Sequence, residues 1–148
     1  MAEIFSTENE LFRTYLFYAC VLAIKVLLMA PLTAFHRMKN KAFANPEDGA
    51  TLKIKPKTHE NVERVRRGHQ NDLENIIPFL AASFAYILTN PSLAFATMLF
   101  RIFTGARILH TIVYTVVVIP QPARALSCAV GYAITVYMAL QGILHFML

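Results

Sequence analysis

The chain has 148 residues, of which 56% are hydrophobic, and it carries 14 lysines and arginines against 9 acidic residues. A mean hydropathy of +0.46 excludes an ordinary soluble domain and indicates an integral membrane protein. The basic residues are not interleaved with aromatic residues, so nucleic-acid binding is not expected. The sequence has neither a phosphate loop nor the spacing of a metal site, and no bound metal is predicted.

The first apolar stretch covers residues 11–35 and is long enough for one membrane span. Lys25 interrupts this stretch well inside, so we expect it to face the interior of a helix bundle. There it would form either a structural ion pair or a direct contact with a ligand. Pro31 lies near the cytosolic end of the span, where a kink is readily accommodated. Cys20 and Cys128 fall in apolar stretches and are predicted to be buried thiols.

A polar connection at about 36–67 follows, and nine of the 14 lysines and arginines lie within it. The positive-inside rule therefore places this connection in the cytosol and the N-terminus on the luminal side. Its charge also suits contact with the head groups of anionic lipids. Asn45-Pro46 and Asp48-Gly49 are turn-forming pairs and predict a reversal of the chain.

The second predicted span, at about 71–88, begins inside the densest polar segment of the chain. At about 100° per residue, the polar side chains before and at its start fall on one side of a helix. One interpretation is a solvated helix surface with local ion pairs, such as His69 with Asp72 or Arg67 with Glu74. The other interpretation is a surface that binds a ligand. This polar stripe consists of Glu63, Arg66, Arg67, Gln70, Asn71 and Glu74.

Two further spans are predicted at about 93–118 and 123–146, and a proline-rich connection joins them. Arg124 opens the last span. With four spans, this connection is predicted to lie on the same side of the membrane as the basic one, so Arg124 can meet the polar stripe near the cytosolic face. Three polar residues share one face of the third span: Arg107, His110 and Tyr114.

Such a cluster suits a ligand that carries both carboxylates and an ammonium group. Arginine binds carboxylates through two parallel hydrogen bonds, and glutamate accepts hydrogen bonds from an amine. Fixed positive charge also favours the ionisation of a thiol, and the thiolate is the nucleophilic form. The residues alone thus indicate either anion binding or activation of a nucleophile.

Four segments, in order along nearly the whole chain, carry a close resemblance to a known family. They are Ala42-Phe-Ala-Asn-Pro-Glu-Asp48, Glu63-Arg-Val-Arg-Arg-Gly-His-Gln-Asn-Asp-Leu-Glu-Asn-Ile-Ile-Pro-Phe79, Phe100-Arg-Ile-Phe-Thr-Gly-Ala-Arg-Ile-Leu-His-Thr111 and Pro120-Gln-Pro-Ala-Arg124. They resemble the microsomal glutathione S-transferase branch of the MAPEG superfamily. The resemblance implies an all-α membrane protein with one domain, 1–148, whose four-transmembrane-helix bundle is one subunit of a homotrimer. It also implies that glutathione binds between adjacent subunits near the cytosolic side.

The activity implied by the resemblance is transfer of glutathione, the cosubstrate, to hydrophobic electrophiles, together with reduction of lipid hydroperoxides. The implied location is the endoplasmic reticulum membrane, with the mitochondrial outer membrane as a second possibility. Arg124 is the predicted catalytic cation that stabilises the thiolate, although the connection leading to it is one residue longer than is usual in the family. His69 is expected to orient the polar stripe through Asp72. The glutathione-binding positions carried over from the family are Arg37, Arg66, Arg67, Asn71, Glu74, His110 and Tyr114.

Departures from the family pattern separate the branches. Prostaglandin E synthases resemble the chain in the same motifs, but they carry an arginine at the Gln70 position and a serine at the Ala125 position. Further polar residues in those relatives replace Cys128 and Ala129. These departures weigh against prostaglandin E synthesis and favour the glutathione transferase branch. Prostaglandin E synthase and a non-enzymatic lipid-binding scaffold are the alternatives to a glutathione transferase. Gly49 stands where some relatives have a cysteine, so activation through a loop thiol is not expected.

Overall fold

A computed structural model describes residues 5–147, and within that range the regular structure is entirely helical. The elements are α1 (Glu10–Leu27), α2 (Met29–Asn40), α3 (Pro46–Ala50), α4 (Glu60–Ile87), α5 (Leu93–Thr111), a π-helical turn (Ile112–Val116) and α6 (Ala123–Phe146). The all-α prediction is confirmed.

Helices α1 and α2 form one apolar stretch of 31 residues, Glu10–Asn40. Pro31 has no N–H to donate to the carbonyl of Leu27 four residues earlier, and Leu27 is where α1 ends. Beyond Pro31 the helix continues past the predicted span, 11–35, to Asn40. The first helical segment therefore extends several residues into the basic connection.

The connection between α2 and α4 is folded rather than extended. Its predicted reversal takes the form of the short helix α3, which begins at Pro46. The N–H of Ile54 donates to the carbonyl of Gly49 at 3.0 Å, and the N–H of Lys57 donates to the carbonyl of Phe43 at 2.8 Å. A Cβ atom at Gly49 would lie 2.6 Å from the carbonyl oxygen of Ile54. The connection therefore requires glycine at this position.

Helix α4 packs against α1, α2 and α6, and α5 packs against α1 and α6. Buried apolar side chains from α1, α4, α5 and α6 form the core between them. The rings of Phe79 and Phe103 stack with their centroids 3.6 Å apart, which ties α4 to α5. Pro78 lies inside α4 without ending it, and its ring is on the exposed side of the helix.

Among the described residues, three helical segments are long and apolar enough to cross a membrane: Glu10–Asn40, Leu93–Val116 and Ala123–Phe146. Large apolar side chains stand exposed on these helices, such as Leu27 at 70% and Val116 at 62%. Such a surface suits lipid or a partner subunit rather than water. Helix α4 is not one of the three, because its first half carries the polar stripe.

The two cysteines differ in their surroundings. Cys128 is half-buried, but Cys20 is exposed on the outer side of α1. The prediction that both are buried thiols is therefore wrong for Cys20. Helix α1 turns Leu11, Leu22 and Lys25 toward the core, and this leaves Cys20 on the apolar outer surface.

Candidate functional site

A cleft of about 260 Å³ lies between the start of α4, the π-helical turn and the start of α6. Tyr114, on the π-helical turn, joins two arginines in its wall. The Nε of Arg67 donates to the Tyr114 hydroxyl at 3.2 Å, and the Arg124 guanidinium lies over the Tyr114 ring, 4.6 Å from its centroid. The polar residues that line the cleft are Glu60, Arg64, Arg67, Tyr114, Gln121 and Arg124.

Close packing of α4 against the π-helical turn places Tyr114. A Cβ atom at Gly68 would lie 2.9 Å from Cγ2 of Thr115 and 3.7 Å from Cδ1 of Tyr114. Only a residue without a side chain allows this approach. The N–H of Val117 then donates to the carbonyl of Ile112 at 2.8 Å and closes the turn.

Of the arginines in the cleft, the two that contact Tyr114 differ in whether a carboxylate neutralises them. Nη2 of Arg67 donates to Glu60 at 2.7 Å, and its hydrogen bonds to Tyr114 and Glu60 raise the pKa of Arg67. Arg124 is half-buried and has no carboxylate within 4.0 Å among residues 5–147. A guanidinium without an internal counter-charge is suited to stabilising an anion beside it.

A second charged cluster lies deeper in the bundle, between α1, α4 and α5. Oδ2 of Asp72 accepts a hydrogen bond from Lys25, and Oδ1 of Asp72 accepts one from Nη2 of Arg107 at 2.7 Å. The same Nη2 donates to Oδ1 of Asn71 at 2.8 Å. The side chains of Asp72 and Arg107 are both 0% exposed. Lys25 is therefore held in a structural ion pair, the first of its two predicted roles.

His110 connects this buried cluster with the cleft. Its ring packs against the Tyr114 ring with the centroids 5.7 Å apart, and its Nδ1 lies 3.4 Å from Nη2 of Arg107. Asn71 stands one helical turn after Arg67 on α4. The two clusters are therefore neighbours along α4 and along α5 with its π-helical turn.

The other predicted site residues lie outside both clusters. Arg66 donates to both carboxylate oxygens of Glu63 at 3.0 Å, and Gln70 donates to Glu74 at 3.2 Å, on the exposed face of α4. Arg37 is half-buried near the end of α2, and its side chain makes no hydrogen bond or ion pair within residues 5–147. One chain thus brings Arg67, Tyr114 and Arg124 together, with Asn71 and His110 behind them.

Two predicted local pairs are wrong. Asp72 does not pair with His69, so His69 does not orient the stripe through it, and Arg67 does not pair with Glu74. Asp72 falls on the inward face of α4, in helical register with the buried residues Val65, Gly68 and Ile76. That register was the sequence signal for its burial. Glu60, Arg64 and Gln121 were not predicted for the cleft.

The sequence of the chain is similar to those of known membrane proteins. Residues 15–144 match the MAPEG family, and the chain belongs to that family. It is 49% identical to microsomal glutathione S-transferase 1 of Mus musculus over an alignment of 138 residues, and the match covers 89% of this chain and 88% of that protein. Its identity to the Homo sapiens protein of that name is 48% with the same coverage. Prostaglandin E synthase of Canis lupus familiaris is 35% identical over an alignment of 130 residues, and the match covers 86% of this chain and 84% of that protein. The resemblance predicted from the four motifs is confirmed.

Proposed function

We propose that the chain is a membrane-bound glutathione transferase that conjugates glutathione to hydrophobic electrophiles and reduces lipid hydroperoxides. The observation that carries the proposal is Arg124, a cation that has no carboxylate within 4.0 Å in residues 5–147 and that shares Tyr114 with Arg67 at an open cleft. The relatives named as microsomal glutathione S-transferases support glutathione as the cosubstrate.

Glutathione matches the charges of the site. Its two carboxylates suit arginine, its ammonium group suits glutamate, and its thiol requires a cation to ionise readily. On the single chain, Arg37, Arg66 and Glu74 stand apart from the cleft, so we place the complete site between two subunits of a homotrimer. The proposed glutathione-binding residues are Arg37, Arg66, Arg67, Asn71, Glu74, His110 and Tyr114.

Arg124 is the proposed catalytic residue. Its guanidinium favours the thiolate as the thiol proton leaves to water. The sulfur then attacks an electrophilic carbon, a C–S bond forms, and the leaving group departs with the bonding electron pair. With a hydroperoxide, the thiolate takes one oxygen to form a sulfenic acid and releases an alcohol. A second glutathione then yields the disulfide and water.

The apolar outer surface supports delivery of the electrophile from lipid. We place four spans at about 11–35, 71–88, 93–118 and 123–146 of a single domain, 1–148, with the connection at 36–67 in the cytosol. The endoplasmic reticulum membrane is the proposed location, and the mitochondrial outer membrane is a second one. The basic residues of the connection at 36–67 favour its placement on the cytosolic side of the membrane.

The ultraviolet absorbance of the glutathione thiolate tests the proposal. Purified protein in detergent is mixed with glutathione near neutral pH, and wild type is compared with Arg124→Leu. The thiolate band is expected in wild type and lost in the variant, with the same oligomer in both. An intact oligomer that forms no thiolate in wild type would favour the lipid-binding scaffold instead.

Prostaglandin E synthase activity is the second candidate, since proteins of that name are 34–35% identical to the chain. Gln70 and Ala125 weigh against it, because the resembling synthases carry arginine and serine there. Analysis of the products formed from an endoperoxide substrate with glutathione distinguishes the two activities. Conjugates without isomerised prostaglandin are the expected result.

A further inference from the structure

The buried cluster fixes the orientation of one amide at the proposed site. Nη2 of Arg107 carries two N–H groups and has three neighbours, Oδ1 of Asp72 at 2.7 Å, Oδ1 of Asn71 at 2.8 Å and Nδ1 of His110 at 3.4 Å. The two short contacts, to Asp72 and Asn71, take the two N–H groups. Arginine has no acceptor, so the atom of Asn71 that faces Arg107 must be its oxygen, Oδ1. The amide nitrogen, Nδ2, therefore points away from Arg107.

The Nδ2 group of Asn71 is the available end of this side chain. Asn71 is half-buried, and its Nδ2 donates to no group within residues 5–147. This nitrogen is also not sealed from solvent. A ligand beside α4 would thus meet a donor at Asn71 and not an acceptor.

Asp72 holds this arrangement in place. Its two oxygens are divided between two cations from different helices, Lys25 of α1 and Arg107 of α5. Arg107 is fully buried between α4 and α6, where a Cβ atom on Gly131 would lie 3.6 Å from its Cδ. A guanidinium confined by packing and by a carboxylate cannot turn away from Asn71 without breaking the ion pair.

We propose that Asp72 is a positioning residue that fixes Arg107 and thereby presents Nδ2 of Asn71 as a hydrogen-bond donor to an oxygen of the bound peptide. The recognised chemistry is a carboxylate or an amide carbonyl and excludes the ammonium group. This inference rests on the proposed function, because it specifies how one residue of that site contacts glutathione.

The charge of the cluster allows a matched test. Lys25, Asp72 and Arg107 together carry one net positive charge, and so does the double variant Lys25→Met/Asp72→Asn. The double variant thus removes the carboxylate that holds Arg107 without changing the net charge. Lys25→Met alone is the control, since it leaves the pair of Asp72 and Arg107 intact.

The dissociation constant of glutathione is measured by titrating the thiolate absorbance, with oligomer size and thermal unfolding checked for each variant. Lys25→Met/Asp72→Asn is expected to raise the dissociation constant about tenfold, the size of one hydrogen bond to a charged acceptor. Turnover at saturating glutathione is expected to change less. Lys25→Met is expected to stay within about threefold of wild type. An equal rise in both variants would overturn the proposal.

Asn71→Ala completes a double-mutant cycle with the charge-matched pair of substitutions. If Asp72 acts through Asn71, adding Lys25→Met/Asp72→Asn to Asn71→Ala should raise the dissociation constant of glutathione little further. Fully additive effects would contradict the proposal. A wild type that forms no thiolate and no conjugate would refute the proposed function itself, whereas unaffected variants of an active wild type would refute only this inference.

Asn71→Asp tests the donor independently of the buried variants and of their folding. Aspartate keeps an oxygen for Arg107 but replaces Nδ2 with a second oxygen. The dissociation constant of the Asn71→Asp variant for glutathione is expected to be at least as high as that of the Asn71→Ala variant. Tighter binding by Asn71→Asp than by Asn71→Ala would show that this position accepts a hydrogen bond, and the proposed orientation would be wrong.

Discussion

The buried cluster and the cleft both contain arginines and acidic residues, but they differ in how far these charges are paired and exposed to solvent. In the buried cluster, Asp72 is shared by Lys25 and Arg107 away from solvent. In the cleft, Arg67 and its partner Glu60 are more than half exposed, and Arg124 has no carboxylate partner within residues 5–147. Charges that are paired and buried hold helices together, whereas a charge left unneutralised at an opening can act on a ligand.

Asp72→Ala is expected to have the largest effect on stability. It leaves two cations buried without a counter-charge, which costs about 3–5 kcal/mol. The midpoint of thermal unfolding in detergent should fall by roughly 10 °C. Glu63→Ala, which breaks the exposed pair with Arg66, is the control and should cost less than about 1 kcal/mol. Similar unfolding midpoints for the two variants would contradict the expectation that the buried ion pairs contribute more to stability than the exposed one.

Arg124→Leu is expected to impair catalysis rather than stability. Loss of a group that stabilises an anion typically lowers kcat by about 100- to 1,000-fold. Arg101→Leu is the control, since Arg101 also lies beside a tyrosine but away from the cleft: its Nε donates to the hydroxyl of Tyr18 at 3.2 Å, whereas Arg124 lies over the ring of Tyr114. Turnover with an apolar electrophile and the unfolding midpoint are measured for both. A loss of stability as severe as the loss of turnover would make Arg124 structural.

Gly68→Ala is expected to disturb both regions moderately. The added methyl group would collide with Cγ2 of Thr115 and push the turn that carries Tyr114 away from α4. Overpacking of this kind costs about 1–3 kcal/mol, and turnover should fall about tenfold as the cleft widens. Thr115→Ser removes Cγ2 but keeps the hydroxyl that donates to Thr111 at 2.7 Å. The double variant should recover most of both losses, and a double variant no better than Gly68→Ala would contradict this explanation.

Thiol alkylation is expected to have the smallest effect. Neither Cys20 nor Cys128 lines the cleft, and the connection has glycine at position 49. Treatment of the purified protein with a thiol-alkylating reagent should leave turnover unchanged or slightly lower. A large rise in turnover would show that one of the two thiols controls the site.

Local sequence patterns predicted where helices begin at positions that follow prolines. Helices α5 and α6 begin at Leu93 and Ala123, because Pro91-Ser92 and Pro122 end the preceding segments. The clusters were harder to predict. The partner of Lys25 lies 47 residues away, and helical periodicity gives the face of a residue but not the helix that meets it. For the same reason the sequence indicated the polar stripe but not its division between the cleft and the buried cluster.

The separation of Lys25 from Asp72 has a consequence for biosynthesis. Helix α1 is made first and must enter the membrane with an unpaired lysine, which costs about 2.5–3.5 kcal/mol near the centre of a span. That cost is offset only when α4 emerges and supplies its carboxylate. A chain interrupted before Asp72 would therefore keep a lysine without its carboxylate in the first membrane helix.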